Sequence, residues 1–306
     1  MSLRIGIGVG ELGGSGGSVA AIVEQVRRAA GLGFASAWMP QLFNLDALTA
    51  LAVAGAQVPG IELGTAVIPT YPRHPMMLAS QALTTQSATG NRLVLGIGLS
   101  HQIVIESMFG YSFDKPARHM SEYLSILLPL LQEGSVQFTG ETLRAAGSVK
   151  ISDATAPPVL LAALAPMMLK LAGSQADGTI TWMTGPATVA DHIVPSITKA
   201  AAGAGRPPPR IVVGLPVCVT ADPDGARQRA AKSFQIYGQL PSYRAMLDRE
   251  GADGPGQVAI VGDEAAVSAQ IASIGESGAT DFMAAPFGSK EELDRTIATV
   301  AALTGP

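Results

Sequence analysis

The chain has 306 residues, 47% of them apolar and 14% charged, with a formal net charge of −4. Such a composition supports a large core and excludes an extended solvated tail, and the lack of a Lys/Arg cluster leaves no electrostatic footprint for nucleic acid or an anionic membrane. The one cysteine, Cys218 in "VVGLPVCVT", excludes an internal disulfide; it reads as a small core residue in a reducing, cytoplasmic setting.

The chain opens with "LRIGIGV" at 3–9, a β-like run followed by a glycine string. Gly8, Gly10 and Gly13 match the G-x-G-x-x-G spacing of a dinucleotide-binding turn. That turn needs a helix beginning at its third glycine and an acid about 20 residues on, at the end of the second strand. Here "GGSGGS" stands at the helix start, each glycine costing about 1 kcal/mol against alanine, and "ASAWMPQL" supplies no acid. The match is therefore read as a loop leaving the first strand, with Gly8 and Gly10 small beside a pocket and the glycines beyond them mobile over it. A helix resumes after Ser18, a good N-cap, with Ile22, Val23 and Val26 on its apolar face. The glycines after Val9 also break any signal-peptide-like run.

Further β-like runs follow at 35–39, 61–67, 92–98, 158–163, 178–183, 210–220 and 280–286, making eight with helical patterns between them. Asp46 reads as the start of the second helix, and Pro116 and Gly134 bound a long amphipathic one. The polar, Gly-broken stretch after Gly134 reads as an insertion, and 250–262 as a loop. "PPVLLAALAPMMLKLAG" is broken by Pro166 and Lys170 and is too short to span a bilayer. Eight β/α units in one chain predict a (β/α)8 barrel with insertions, the longest between strands 4 and 5, as one domain over 1–306. In such barrels the site lies at the carboxyl ends of the strands.

At those ends stand Thr65, Thr70, Tyr71, Arg73 and His74 after strand three, and Ser100 and His101 after strand four. His74, between Arg and Pro, reads as a helix cap; His101 serves either the pocket or the next helix. Trp182, ending strand six, either walls a planar ligand or packs. No metal constellation or paired catalytic acids stand there, and Asp177 and Gly178 read as structural.

"IELGTAVIPTYPRHPMMLASQALTTQSATGNRLVLGIGLSH" resembles the core signature of the luciferase-like flavin monooxygenase superfamily, as do "AAGLGFASAWMPQLF" and "LLAALAPMMLKLAGSQADGTI". The Ala/Gly-rich composition and "PQLFNLDALTALA" look most like its branch using the deazaflavin coenzyme F420; the FMN branch is the competitor. The resemblance implies a non-proline cis peptide at Thr65-Ala66, with Thr65, Ala66 and Val67 against the ring and Gln41 and Ser100 beside it. It also implies a cofactor phosphate on the amides of Ala163, Leu164 and Ala165. Relatives carry an acid and a histidine where this chain has Gln41 and Leu42, so the proton donor falls to His101, with His74 and Tyr71 behind it. The implied protein is an F420-dependent oxidoreductase, a homodimer acting by hydride transfer on a small molecule. The alternatives are an FMN-dependent monooxygenase, a non-catalytic flavin- or deazaflavin-binding protein, and a barrel enzyme without a redox cofactor.

Overall fold

A computed structural model describes residues 3–13 and 17–305. Its first strand, β1 (Arg4–Gly8), runs into a single 3-10 turn at Gly10–Gly13, and helix α1 (Val19–Gly31) begins after Ser18, whose side chain accepts from the Ala21 amide. Among the described residues the first α-helix begins at Val19, not at Gly13, so the dinucleotide match is read as a coincidence of spacing. The glycine string predicted to be mobile falls at 14–16, outside the described residues. Gly10 sits at φ +68 with α1 packed behind it, Ile22 being 3.3 Å from where a Cβ would lie, so it turns the chain rather than opening a pocket.

The alternation continues with β2 (Ser36–Met39), α2 (Ala47–Gln57), β3 (Glu62–Thr65), the two-residue β4 (Ile68–Pro69), α3 (Pro75–Ala88) and β5 (Leu93–Gly98). After α4 (Gln102–Ser107) and α5 (Pro116–Gln132) come β6 (Ser135–Thr139) and β7 (Arg144–Ser148), an antiparallel hairpin that forms the predicted insertion. Then follow β8 (Val159–Ala162), α6 (Pro166–Ser174), β9 (Gly178–Trp182), α7 (Pro186–Thr188), α8 (Val194–Gly203) and β10 (Arg210–Val219). The chain ends with α9 (Pro223–Ser233), α10 (Pro241–Glu250), α11 (Pro255–Val258), β11 (Ile260–Gly262), α12 (Glu264–Glu276), β12 (Asp281–Pro286) and α13 (Lys290–Ala301). The stretch 250–262, expected to be a loop, instead holds α11 and β11, which adds to the upper half of β10 with Val217 opposite Ile260.

Parallel pairing runs β1, β2, β3, β5, β8, β9, β10, β12 and back to β1, closing an eight-stranded barrel. Strand residues alternate between two apolar compartments. The larger lies between sheet and helices; the smaller fills the barrel with Trp38, Val94, Leu160, Ile180, Val212 and Met283. Trp38 dominates it, fully buried, its indole N–H donating to Ser36 Oγ at 2.8 Å. Two glycines make its room: a Cβ on Gly64 would lie 2.1 Å from the indole, and one on Gly6 2.3 Å from Ser36 Oγ.

The amino-terminal end of the barrel is closed by charges at the first residues of four strands. Arg210 donates to Asp281 at 2.6 and 3.0 Å and to Glu62 at 2.6 Å, Arg4 joins both carboxylates at 3.2 and 3.3 Å, and the Arg210 guanidinium lies 5.5 Å over Trp38. Two cations facing two carboxylates neutralise this floor. The site is thereby left to the opposite end.

Candidate active site

At the carboxyl-terminal mouth, β3 breaks its ladder and resumes as β4. The Ala66 amide still donates to the Met39 carbonyl at 2.8 Å, so the ladder with β2 runs one residue past Thr65 before the chain bulges. Accordingly the non-proline cis peptide joins Ala66 and Val67, one residue later than the sequence pattern implied. Thr65 is wholly buried, donating to the Gly96 carbonyl at 2.8 Å and accepting from its amide at 2.9 Å. Its side chain ties β3 to β5, which leaves the backbone of Thr65 for the expected contact. Ala66 and Val67 stay partly buried against the inner cluster.

Small residues surround the bulge. A Cβ on Gly98 would come within 2.8 Å of Val67 and 3.0 Å of Ala162, and one on Gly96 within 2.0 Å of the Thr65 carbonyl. Glycines are therefore required beneath Ala66, Val67 and Ala162, which stay partly buried against the inner cluster. Beyond β5, Ser100 takes a left-handed φ of +61, and His101 follows at the N-cap position of α4 without a side-chain capping bond. Its ring lies 5.7 Å from that of Tyr243, and burial pushes its pKa below the usual imidazole value. Burial thus favours the neutral form of the ring.

The remaining predicted residues divide. Gln41 caps α2, accepting from the Ala47 amide at 2.8 Å and donating to the Leu42 carbonyl at 3.1 Å, so both its ends are engaged locally. Ala163, Leu164 and Ala165 link β8 to α6, whose N-cap Ala165 brings no side-chain acceptor to the free amides of the first turn. The Leu164 carbonyl is held at 2.8 Å by Nε2 of His192, a buried residue on a π-helical turn, Val189–Ile193. Pro195 lies four residues past Asp191 and cannot donate to its carbonyl, which accounts for the widened turn. His192 carried no sequence signal, because its partner lies 28 residues earlier in the chain.

His74 is a cap, as its flanking residues suggested: Nδ1 accepts from the Met76 amide at 3.3 Å and Nε2 meets the Arg144 carbonyl of the hairpin at 3.1 Å. Tyr71 stacks on His119 at 4.0 Å, its pKa pushed up to about 12 by burial and then by Asp114 and Glu106. Burial, partly opposed by Glu122, lowers His119 to about 4, and its Nε2 contacts Thr70 Oγ1 at 3.1 Å. Arg73 pairs with Asp46 at 2.7 Å, while its other terminal nitrogen and the Tyr71 hydroxyl are buried with no hydrogen-bond partner among the described residues. Two orphaned donors beside the mouth suit a polar ligand.

Trp182 ends β9 within a chain of rings missed in the sequence. Phe234 packs edge-on against Trp182 at 5.9 Å and Phe287 at 6.1 Å; Tyr237 meets Trp182 at 6.1 Å and Tyr243 at 4.9 Å. Burial raises the pKa of both tyrosines, with Glu11 adding to Tyr237 and Tyr237 to Tyr243, so each hydroxyl keeps its proton at neutral pH. Tyr237 thus lies near both Trp182, at the exit of β9, and Glu11, beyond β1.

The sequence model of the luciferase-like monooxygenases matches residues 3–303. The chain belongs to the luciferase-like monooxygenase family. A 5,10-methylenetetrahydromethanopterin reductase of Methanolobus tindarius is 27% identical over 223 residues, covering 72% of this chain and 68% of the relative. The fold matches a coenzyme F420-dependent tetrahydromethanopterin reductase from Methanopyrus kandleri, with a TM-score of 0.82, 21% identity and 98% of each chain covered. It also matches the FMN-bound oxygenating constituent of 3,6-diketocamphane monooxygenase from Pseudomonas putida, with a TM-score of 0.78, 15% identity and 99% and 97% covered. Among the described residues of this family member, no group of three or more His, Cys, Asp or Glu could hold a metal ion, and no helix is long and apolar enough to cross a membrane.

Proposed function

We propose that the chain is an oxidoreductase that binds coenzyme F420 at the carboxyl-terminal mouth and transfers a hydride between it and a small organic substrate. The observation that carries the reading is the small-residue bulge of Ala66 and Val67 beside Ala162 at the strand ends, packed so closely that Gly96 and Gly98 have no room for a side chain. It fits a tricyclic ring, and the orphaned Arg73 nitrogen fits a polar edge. The amides ahead of α6 would take the cofactor phosphate, with His192 fixing the intervening carbonyl. When bound, the deazaflavin supplies a two-electron hydride site.

The chain's own residues then orient, dry and move protons. Ala66 and Val67 set the ring plane, and Trp182, Tyr237 and Tyr243 exclude water. Neutral His101 accepts the hydroxyl proton of an alcohol as it is oxidised; in the reverse direction the proton returns from His101 or water. Ser100 holds the strand exit that aims His101. The FMN monooxygenase reading shares this bulge and is supported by the likeness to the FMN-bound structure.

A homodimer is part of the proposal: neither α2 nor α3 carries a charged residue, and both leave apolar side chains exposed. The test mixes reduced F420 with purified protein and a panel of enones, ketones, imines and nitro compounds. Oxidation of F420 dependent on both protein and substrate supports the reading. Failure with every substrate despite tight F420 binding would leave a cofactor-binding protein.

A further inference from the structure

Nine of the eleven large apolar side chains exposed among the described residues lie in segments leaving the carboxyl ends of strands or opening and following helices at that end. Only Leu32 and Val53 lie elsewhere. Two of the nine meet: Phe43, beyond β2 and 59% exposed, lies 6.3 Å from Phe109, beyond β5 and 40% exposed. Leu42 beside them is 47% exposed. Exposed apolar groups scattered singly need no explanation, but a collar of them around a candidate site does.

Charge narrows the occupant. The cations after β4 and β5 are ion-paired, Arg73 to Asp46, with its second terminal nitrogen assigned above to the polar edge of the cofactor, and Lys115 and Arg118 to Glu141. Glu11, Glu106 and Asp114 add only negative charge, and 234–240, the segment packed against Trp182, has no charged residue. Beside His101 stands a separate run of rings, Tyr243, Tyr237 and Trp182, whose phenols remain neutral donors. An anionic substrate would meet carboxylates and rings with no free counter-charge.

We propose that the substrate is a neutral, bulky hydrophobic molecule. Its carbonyl or conjugated double bond enters past Tyr243 and His101, and its apolar body rests on Leu42, Phe43 and Phe109. This rests on the reading of the mouth as the oxidoreductase site, but its binding test needs no cofactor.

Calorimetric titration of the purified protein with neutral cyclic enones of one, two and three rings, and with a carboxylated three-ring analogue, reads it directly. The expected result is at least tenfold tighter binding from one ring to three, and at least tenfold weaker binding on adding the carboxylate. Phe43→Ser with Phe109→Ser should flatten the series, with three-ring affinity falling at least tenfold toward the one-ring value; Leu42→Ser alone should flatten it in part. Affinity independent of ring number, or preference for the carboxylate, overturns the proposal. So does a Phe43/Phe109 variant that keeps the series but changes oligomeric state, which would make the collar a subunit interface. Absence of F420 binding alone would sink the cofactor reading, with the ring series still decided by titration.

Discussion

Glu122→Gln should lower the melting temperature by about 4 °C at pH 7, and the gap should narrow as the solution is acidified. Glu122 lies on α5 with its side chain 9% exposed, and it anchors the turn between β6 and β7. Its carboxylate accepts from the amides of Glu141, Thr142 and Leu143 at 2.9, 2.7 and 3.0 Å and from the Thr142 hydroxyl at 2.7 Å. Burial alone would raise its pKa, but these donors outweigh it and lower the value to about 2.

Glutamine keeps one acceptor and turns an NH2 toward the remaining donors, which costs roughly 2–3 kcal/mol by the usual penalty for unsatisfied buried groups. For 306 residues the unfolding entropy is about 0.6 kcal/mol per kelvin, hence about 4 °C. Because the folded pKa lies below the ordinary 4.5, the stabilisation is complete above that pH and is lost as pH falls toward 2. More than half should be gone by about pH 3. Melting curves of both proteins from pH 3 to pH 7, followed by circular dichroism, test this. A gap that stays constant with pH, or none at pH 7, would refute the assignment of the anchor to the charged carboxylate.

Four further outcomes follow from the barrel and its mouth. Gly64→Ala sets a Cβ 2.1 Å from the Trp38 ring and should destabilise the fold by about 2–3 kcal/mol, read as a lower melting temperature with altered tryptophan fluorescence. Arg210→Met leaves buried Asp281 with Arg4 as its cation and should cost about 3–5 kcal/mol, measured by urea unfolding. His101→Ala should lower kcat for alcohol oxidation by about 100-fold or more while leaving F420 affinity unchanged. In the unmodified enzyme that kcat should stay level from pH 8 to below the ordinary imidazole range before falling, since burial lowers the His101 pKa.

The barrel was legible because its signals are local. Eight apolar runs alternate with helical periodicity, and Ser18, Asp46 and Pro116 open their helices as their residue types predict. Features set by distant partners were hidden. Arg210 and Glu62 are 148 residues apart, so nothing nearby marked either as part of the floor. Trp38 looked like an ordinary strand residue; only the register placing Gly6 and Gly64 around it reveals the indole at the barrel centre. The bulge was misplaced by one residue because the Ala66 amide still serves the ladder, a bond invisible in residue types. The ring chain from Phe287 to His101 joins segments that follow four different strands, and 255–262 is too short for periodicity to distinguish from a loop.

The central claim is that the mouth binds a deazaflavin. Fluorescence titration of the purified protein with F420, and separately with FMN, tests it most directly. The account predicts saturable binding of F420 in the micromolar range or tighter, weakened severalfold by Val67→Glu at the bulge, with FMN bound more weakly. Tight retention of FMN without affinity for F420 would contradict it.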